Sequence, residues 1–204
     1  MKPTVVFDLG KVLVDFDYAI AARKIVARST HPPDNLNFLW ESPLLLQLES
    51  GQLNRQEFFE AMQKAIGFQG DLEEFSLYFG DIFEPIAPMV DLHSMLRQQK
   101  IPTYILSNVS DIAVNHIRKH FPFFNHFDGY VFSYEAGSLK PETKIYEALE
   151  RLTGKRGTDL IYIDDRPENI EAANVRGWRA ILHESPEKSR AAVLKFLRGT
   201  LKFN

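Results

Sequence analysis

The stretch VVFDLGKVLVDFD, Val5 to Asp17, is an apolar run broken at Asp8, with Gly10 two positions later. It reads as a buried strand that ends at an acid, and the pattern returns along the chain. TYIL (Thr103–Leu106) runs into Ser107-Asn108 and LIYI (Leu160–Ile163) into Asp164-Asp165, while GYVF (Gly129–Phe132) and RAIL (Arg179–Leu182) are further β-branched or aromatic runs. Helical periodicity fills the gaps at Ile112–Arg118, Pro141–Leu152 and Pro167–Val175, so strand and helix alternate from about Ile101 onward. Alternation of this kind predicts an α/β fold with a doubly wound parallel sheet, Rossmann-like in its winding. The strands are near-continuous apolar runs, as expected where helices cover both faces of a sheet.

The segment from Asp15 to Glu84 reads differently. It has helical spacing at Ala19–Val26 and Glu57–Ile66, breaks at Pro32-Pro33, Gly51, Gly67 and Gly70, and shows no convincing strand. The reading is therefore a core made of residues 1–14 and 85–204, with a small all-α cap, residues 15–84, inserted after the first strand. Pro85 and Pro88 mark the return to the core, and Met89–Gln98 is the expected crossover helix.

Composition narrows the partners. At 204 residues the chain fits one core with an appendage. The balance of 24 basic against 27 acidic residues, net charge -3, lacks the basic excess that binding to a phosphate backbone needs, so no nucleic acid is expected. The absence of cysteine excludes a disulfide, a thiolate nucleophile and a zinc knuckle, and fits a reducing compartment. No run reaches the roughly 18 apolar residues of a membrane span, and the first residues lack the apolar stretch of a signal peptide. The expectation is no membrane partner and a cytoplasmic location, with the oligomeric state left open.

Ligands of open parallel sheets bind in the crevice outside the carboxyl ends of the strands. Here those ends carry Asp8, Ser107-Asn108 and Asp164-Asp165, and Lys140 stands just before Pro141, read as the first turn of a helix. Each group has a plain structural reading: a turn former, a helix cap, a solvated lysine. Three carboxylates in one crevice would nevertheless repel by several kcal/mol unless a cation neutralised them, and hard oxygen ligands select magnesium. His116 and His120 lie one helical turn apart with no acid after the first, which suits a solvated helix face. The phenylalanines at 121, 123, 124 and 127 read as packing beneath a loop.

The order Asp8, Ser107, Lys140-Pro141, Asp164-Asp165 resembles the four motifs of the haloacid dehalogenase-like hydrolases, and the likeness covers the whole chain. Within that family, DLGKVL, LESGQLNRQEFF, LSN, LKPE and IDDRPENIEAAN look most like bacterial α-glucose-1-phosphate phosphatases. They are more distantly similar to the phosphatase domain of soluble epoxide hydrolases. The resemblance implies a magnesium-dependent phosphatase of small phosphorylated metabolites, a hexose 1-phosphate among them. Asp8 would attack phosphorus to give an aspartyl-phosphate. The backbone carbonyl of Gly10 and the carboxylates of Asp8 and Asp165 would hold the metal, with Asp164 in its outer sphere or paired to Lys140. Ser107 and the backbone of Asn108 would hold phosphate oxygens, and Lys140 would neutralise developing charge.

Two positions depart from the family pattern. Gly10 stands where most members carry a second aspartate that protonates the leaving oxygen and then activates water; Asp15, Asp17 or a metal-bound water are candidates for that vacant role. Lys11 stands where many members have glycine. The competing expectations are a non-catalytic protein that binds phosphorylated ligands, and a haloacid dehalogenase, which would need no metal carboxylates.

Overall fold

The computed structural model describes residues 3–198; the ends of the expected core range, 1–2 and 199–204, lie outside them. The strands are β1 (Thr4–Phe7), β2 (Val14–Phe16), β3 (Phe83–Pro85), β4 (Thr103–Ser107), β5 (Gly129–Phe132), β6 (Leu160–Asp164) and β7 (Arg179–Leu182). Among the described residues nine α-helices lie between them and a tenth follows β7: α1 (Tyr18–Val26), α2 (Pro43–Glu49), α3 (Arg55–Ile66), α4 (Leu72–Gly80), α5 (Ala87–Gln98), α6 (Asp111–His120), α7 (Ser133–Ala136), α8 (Thr143–Thr153), α9 (Pro167–Val175) and α10 (Pro186–Phe196).

Five strands form a parallel sheet in the order β5-β4-β1-β6-β7. The chain winds outward from β1 through β4 to β5, then returns to the other side of β1 for β6 and β7, so the winding reverses at β1. Alternation along β1 explains why both faces are apolar. Val5 and Phe7 pack with Met89, Leu92 and Leu96 of α5, Val114 and Ile117 of α6 and Val193 of α10. Val6 faces the other way, onto Ile145, Tyr146 and Leu149 of α8 and Ala173 of α9. A strand buried on both sides has no place for a charged residue until it ends, which is where Asp8 stands.

Between β2 and β3 the chain forms α1 to α4 around its own apolar cluster, which includes Ala21, Ile25, Phe58, Phe75 and Phe79; Ile112 of α6 joins it from the sheet side. Local signals set the helix ends: Ser42 caps α2 ahead of Pro43, Asn54 and Glu57 form a reciprocal capping box on α3, and Gly67 closes α3 in the left-handed conformation. The expectation of a strand-free segment needs correcting at its borders. β2 and β3 pair antiparallel, Asp15 opposite Glu84 and Phe16 opposite Phe83, as a two-stranded ribbon at the base of the helices. With three residues each, VDF and FEP are too short to show an alternating pattern.

Candidate active site

Register brings the candidate residues together. Phe7 pairs with Ile105 on one side and Ile163 on the other, and the Asp8 amide donates to the Ile163 carbonyl at 2.8 Å. Asp8, Ser107 and Asp164 therefore emerge side by side at the carboxyl edge of β1, β4 and β6. Carboxylate oxygens of Asp8, Asp164 and Asp165 lie within 4.8 Å of one another.

Lys140 reaches this cluster from the loop before α8. Its ammonium donates to Asp8 Oδ1 at 2.8 Å, Asp164 Oδ2 at 2.7 Å and the Leu106 carbonyl at 3.1 Å, which uses all three of its protons. What holds the lysine there is not a helix start, as the sequence suggested. Pro141 precedes α8 and follows a cis peptide bond, and the backbone of Lys140 is gripped from across the site. The Asn108 amide accepts from Lys140 N at 2.7 Å and donates to Lys140 O at 3.0 Å. Nothing in the string LSN marks the Asn108 side chain for that task.

Asp164 is fully buried and saturated. Besides Lys140 it accepts from Arg166 N at 2.8 Å, from Asn169 Nδ2 at 3.0 Å, and from the hydroxyl of Tyr162, two residues back on the same face of β6. Burial works against its ionisation, yet Lys140 and these donors hold its pKa below the ordinary carboxylate value. Burial also opposes the charge on Lys140, but Asp8 and Asp164 outweigh it and raise the lysine. Asp8 has fewer donors, Lys140 and Leu9 N at 2.7 Å. Burial pushes its carboxyl up to about 7 against the pull of Lys140, with the Asp164 charge adding to the rise. Burial followed by the charge on Asp164 also raises Asp165.

Asp8 and Asp165 are thus two carboxyls held back from ionising beside a lysine–aspartate pair that already balances itself. Asn169 adds a further oxygen: its amide nitrogen is committed to Asp164, and its buried Oδ1 has no protein partner among the described residues. Carboxylates, the neighbouring Gly10 carbonyl and an orphaned amide oxygen are a hard-oxygen donor set, and the residues present fit magnesium.

The cluster floors a cavity of about 420 Å³ whose other walls include Gly10, Phe16, Tyr18, Trp40, Leu45, Leu46, Glu49, Asn108 and Arg166. The side-chain position missing at Gly10 is filled by a ring: a Cβ there would stand 2.8 Å from Phe16 Cε1. Lys11 adopts the left-handed conformation at φ 58°, which favours glycine over a residue with a side chain. Its ammonium donates to Asp15 Oδ1 at 2.5 Å and to the Phe16 carbonyl at 2.8 Å, and lies 4.6 Å over the Phe16 ring. Asp15 is therefore spent on Lys11, and Asp17 caps α1 by accepting from Ala19 N. Neither lines the cavity.

Glu49, which the sequence reading did not single out, does line it. It ends α2, accepts from the Tyr18 hydroxyl at 3.4 Å, and has its carboxyl pushed up to about 7 by burial, against that bond and the nearby charges of Arg166 and Lys140. Only the helix bringing it back to the sheet reveals it.

Fold and site together define an α/β protein built around an acidic cluster at the carboxyl edge of a parallel sheet. Residues 2–177 match the haloacid dehalogenase-like hydrolases, and the chain belongs to that family and is an enzyme of it. It is 23% identical over 175 residues to a sesquiterpene phosphatase of Aspergillus oryzae, covering 84% of this chain and 85% of that one. It is 21% identical over 192 residues to a D-ribitol-5-phosphate phosphatase of Bacteroides thetaiotaomicron, covering 91% and 93%. A family enzyme from the same organism, solved with magnesium and inorganic phosphate, superposes with a TM-score of 0.79 at 23% identity, covering 89% of this chain and 94% of that one. No helix among the described residues is long and apolar enough to cross a membrane.

Proposed function

We propose that the protein is a magnesium-dependent phosphatase that hydrolyses small phosphate monoesters through an aspartyl-phosphate on Asp8. The observation that carries this is the state of Asp8. Leu9 N and Lys140 both engage Oδ1, which leaves Oδ2 for attack on phosphorus, at the floor of a cavity beside Ser107. Magnesium held by Asp8, Asp165 and the Gly10 carbonyl would offset the repulsion between a phosphate dianion and the nucleophile. Asp164 then keeps Lys140 in place, and Ser107 with the Asn108 backbone donates to phosphate oxygens. Residues 15–84 act as the cap of this site, a reading supported by Tyr18, Trp40, Leu45 and Glu49 lining the same cavity.

The relatives' names support a small phosphorylated metabolite as substrate. A hexose 1-phosphate is favoured, because DLGKVL, LESGQLNRQEFF, LSN, LKPE and IDDRPENIEAAN resemble the motifs of bacterial α-glucose-1-phosphate phosphatases. A cytoplasmic location accords with such a substrate. The test is release of inorganic phosphate from p-nitrophenyl phosphate with magnesium, with EDTA, and by Asp8→Asn. Turnover with magnesium alone, lost in EDTA and reduced by about 10³-fold or more in the variant, is expected. Phosphate bound without turnover would instead favour a non-catalytic binding protein, and turnover in EDTA would remove the metal from the scheme.

A further inference from the structure

A phosphatase without a side chain at Gly10 needs another group to protonate the alcohol that leaves. Among the described residues lining the cavity, the carboxyl groups are Asp8, Asp165 and Glu49. The first two belong to the acidic cluster. Lys140 has its three protons engaged by Leu106 O, Asp8 and Asp164. Glu49, at the end of α2, is the carboxyl of that cavity outside the cluster.

Its placement is built, not incidental. The Glu49 carbonyl accepts from Ser133 Oγ at 2.5 Å, and the same Ser133 oxygen accepts from Val109 N at 3.0 Å, in the loop that follows Ser107. Two residues on, Gly51 lies so close to α7 that a Cβ there would stand 2.2 Å from the Tyr134 carbonyl, and its φ of +73° suits glycine. The end of α2 is therefore pinned to the core beside the strand end that carries Ser107. Tyr18, stacked against Trp40 with ring centroids 6.5 Å apart, gives its hydroxyl proton to Glu49 Oε1. That leaves Oε2 for the substrate.

We propose that Glu49 is the proton donor and acceptor of the reaction, standing in from the helical segment for the side chain that Gly10 lacks. The proposal rests on the phosphatase reading above. In the first half, an Asp8 oxygen forms a bond to phosphorus while the bond from phosphorus to the alcohol oxygen breaks with its electron pair, and the Glu49 proton passes to that oxygen. The alcohol leaves neutral and Glu49 is left as a carboxylate. In the second half, Glu49 takes a proton from a water as its oxygen bonds to phosphorus. The bond between phosphorus and Asp8 breaks, which frees phosphate and restores the Asp8 carboxylate and the protonated Glu49. Burial of Glu49, which raises its pKa to about 7, keeps that proton available near neutrality.

The test is a series of phosphate esters whose leaving groups run from acidic phenols to alkyl alcohols, hydrolysed by wild type and Glu49→Gln. Glutamine keeps the shape and can still accept from Tyr18. Wild type should show a shallow dependence of kcat/KM on leaving-group pKa. The variant should steepen it, losing about 10²–10⁴-fold on alkyl phosphates and little on the most acidic phenol. A second measurement needs no variant. In wild type, alkyl ester hydrolysis should fall as pH rises past 7, while acidic phenyl esters lack that limb. Tyr18 on α1, Lys140 and Arg166, which act on Glu49, and Asp8 and Asp165, which line the same cavity, act on both substrates alike, so the contrast isolates the donor. An unchanged slope in the variant, or a shared alkaline limb, overturns Glu49 while leaving the phosphatase standing. Absence of turnover on every ester in wild type overturns both.

Discussion

At the scale of single residues, the site is a matter of which charges are already balanced. Asp164 and Asp165 are adjacent in sequence yet differ in kind: the first is fully buried and bonded to Lys140, Tyr162, Asn169 and Arg166 N, while the second is half-buried with its pKa raised by burial and by its neighbour's charge. Removing Asp164 leaves the buried Lys140 ammonium with Asp8 as its one carboxylate and deprives Tyr162, Asn169 and Arg166 N of their acceptor, and breaking a buried pair costs about 3–5 kcal/mol. Removing Asp165 relieves repulsion. Without metal, Asp164→Ala should therefore unfold at markedly lower denaturant, whereas Asp165→Ala should match or exceed wild type while losing the response to magnesium. Equal stabilities in urea titrations would contradict the division of labour. The strand-terminal acids were legible in the sequence because a polar residue ending an apolar run is conspicuous. Tyr162, Glu49 and the side-chain role of Asn108 were not: each works through a partner distant in sequence or on a strand face that composition does not reveal.

At the scale of elements, long strands and helices follow from pattern while short ones follow from their surroundings. TYIL and LIYI are bounded apolar runs, and β4 and β6 extend them by one polar residue each, Ser107 and Asp164. β2 and β3 owe their pairing to the chain crossing the base of the helical segment twice, and no property of VDF or FEP announces it. The loop between β1 and β2 shows how such a piece is held. Leu9 O accepts from Leu13 N at 2.8 Å and Val14 N at 3.0 Å, and Lys11 N donates to Val14 O at 2.7 Å. That tight path puts Lys11 at φ 58°, a conformation that disfavours a side chain by about 1–2 kcal/mol. Lysine offsets this by tying Asp15 and Phe16 together. Alanine would keep the conformational cost and lose the tie, and glycine would lose both. Lys11→Ala should accordingly be less stable than Lys11→Gly by about 1 kcal/mol in thermal melts, and the reverse order would mean the backbone is not what glycine relieves.

At the scale of the whole molecule, the core beneath the sheet contains a titratable ring. His93 of α5 is buried, stacked 3.8 Å from Phe127 and edge-on to Phe7, the residue before the nucleophile candidate, and its Nε2 has no partner among the described residues. Burial, followed by the nearby charges of Arg97 and His126 and opposed by Asp128, lowers its pKa from the ordinary 6.5 to about 4. Between those values the unfolded chain binds a proton that the folded chain refuses. The unfolded state then holds more protons, so stability rises with pH across the window and is lost as pH falls from about 6.5 toward 4, by at most about 1.4 kcal/mol per pH unit. Burial lowers His116 and His183 as well, so the slope is shared and must be read by difference. His93→Leu, close in volume and without a titrating group, should flatten the dependence of unfolding free energy on pH between 4 and 6.5 while leaving the slope above 7 unchanged. Because Phe7 joins His93 to the strand that carries Asp8, acid loss of activity in wild type should follow this unfolding and shift to lower pH in the variant. Parallel stability curves for the two proteins across that range would show that His93 accepts its proton without opening the core.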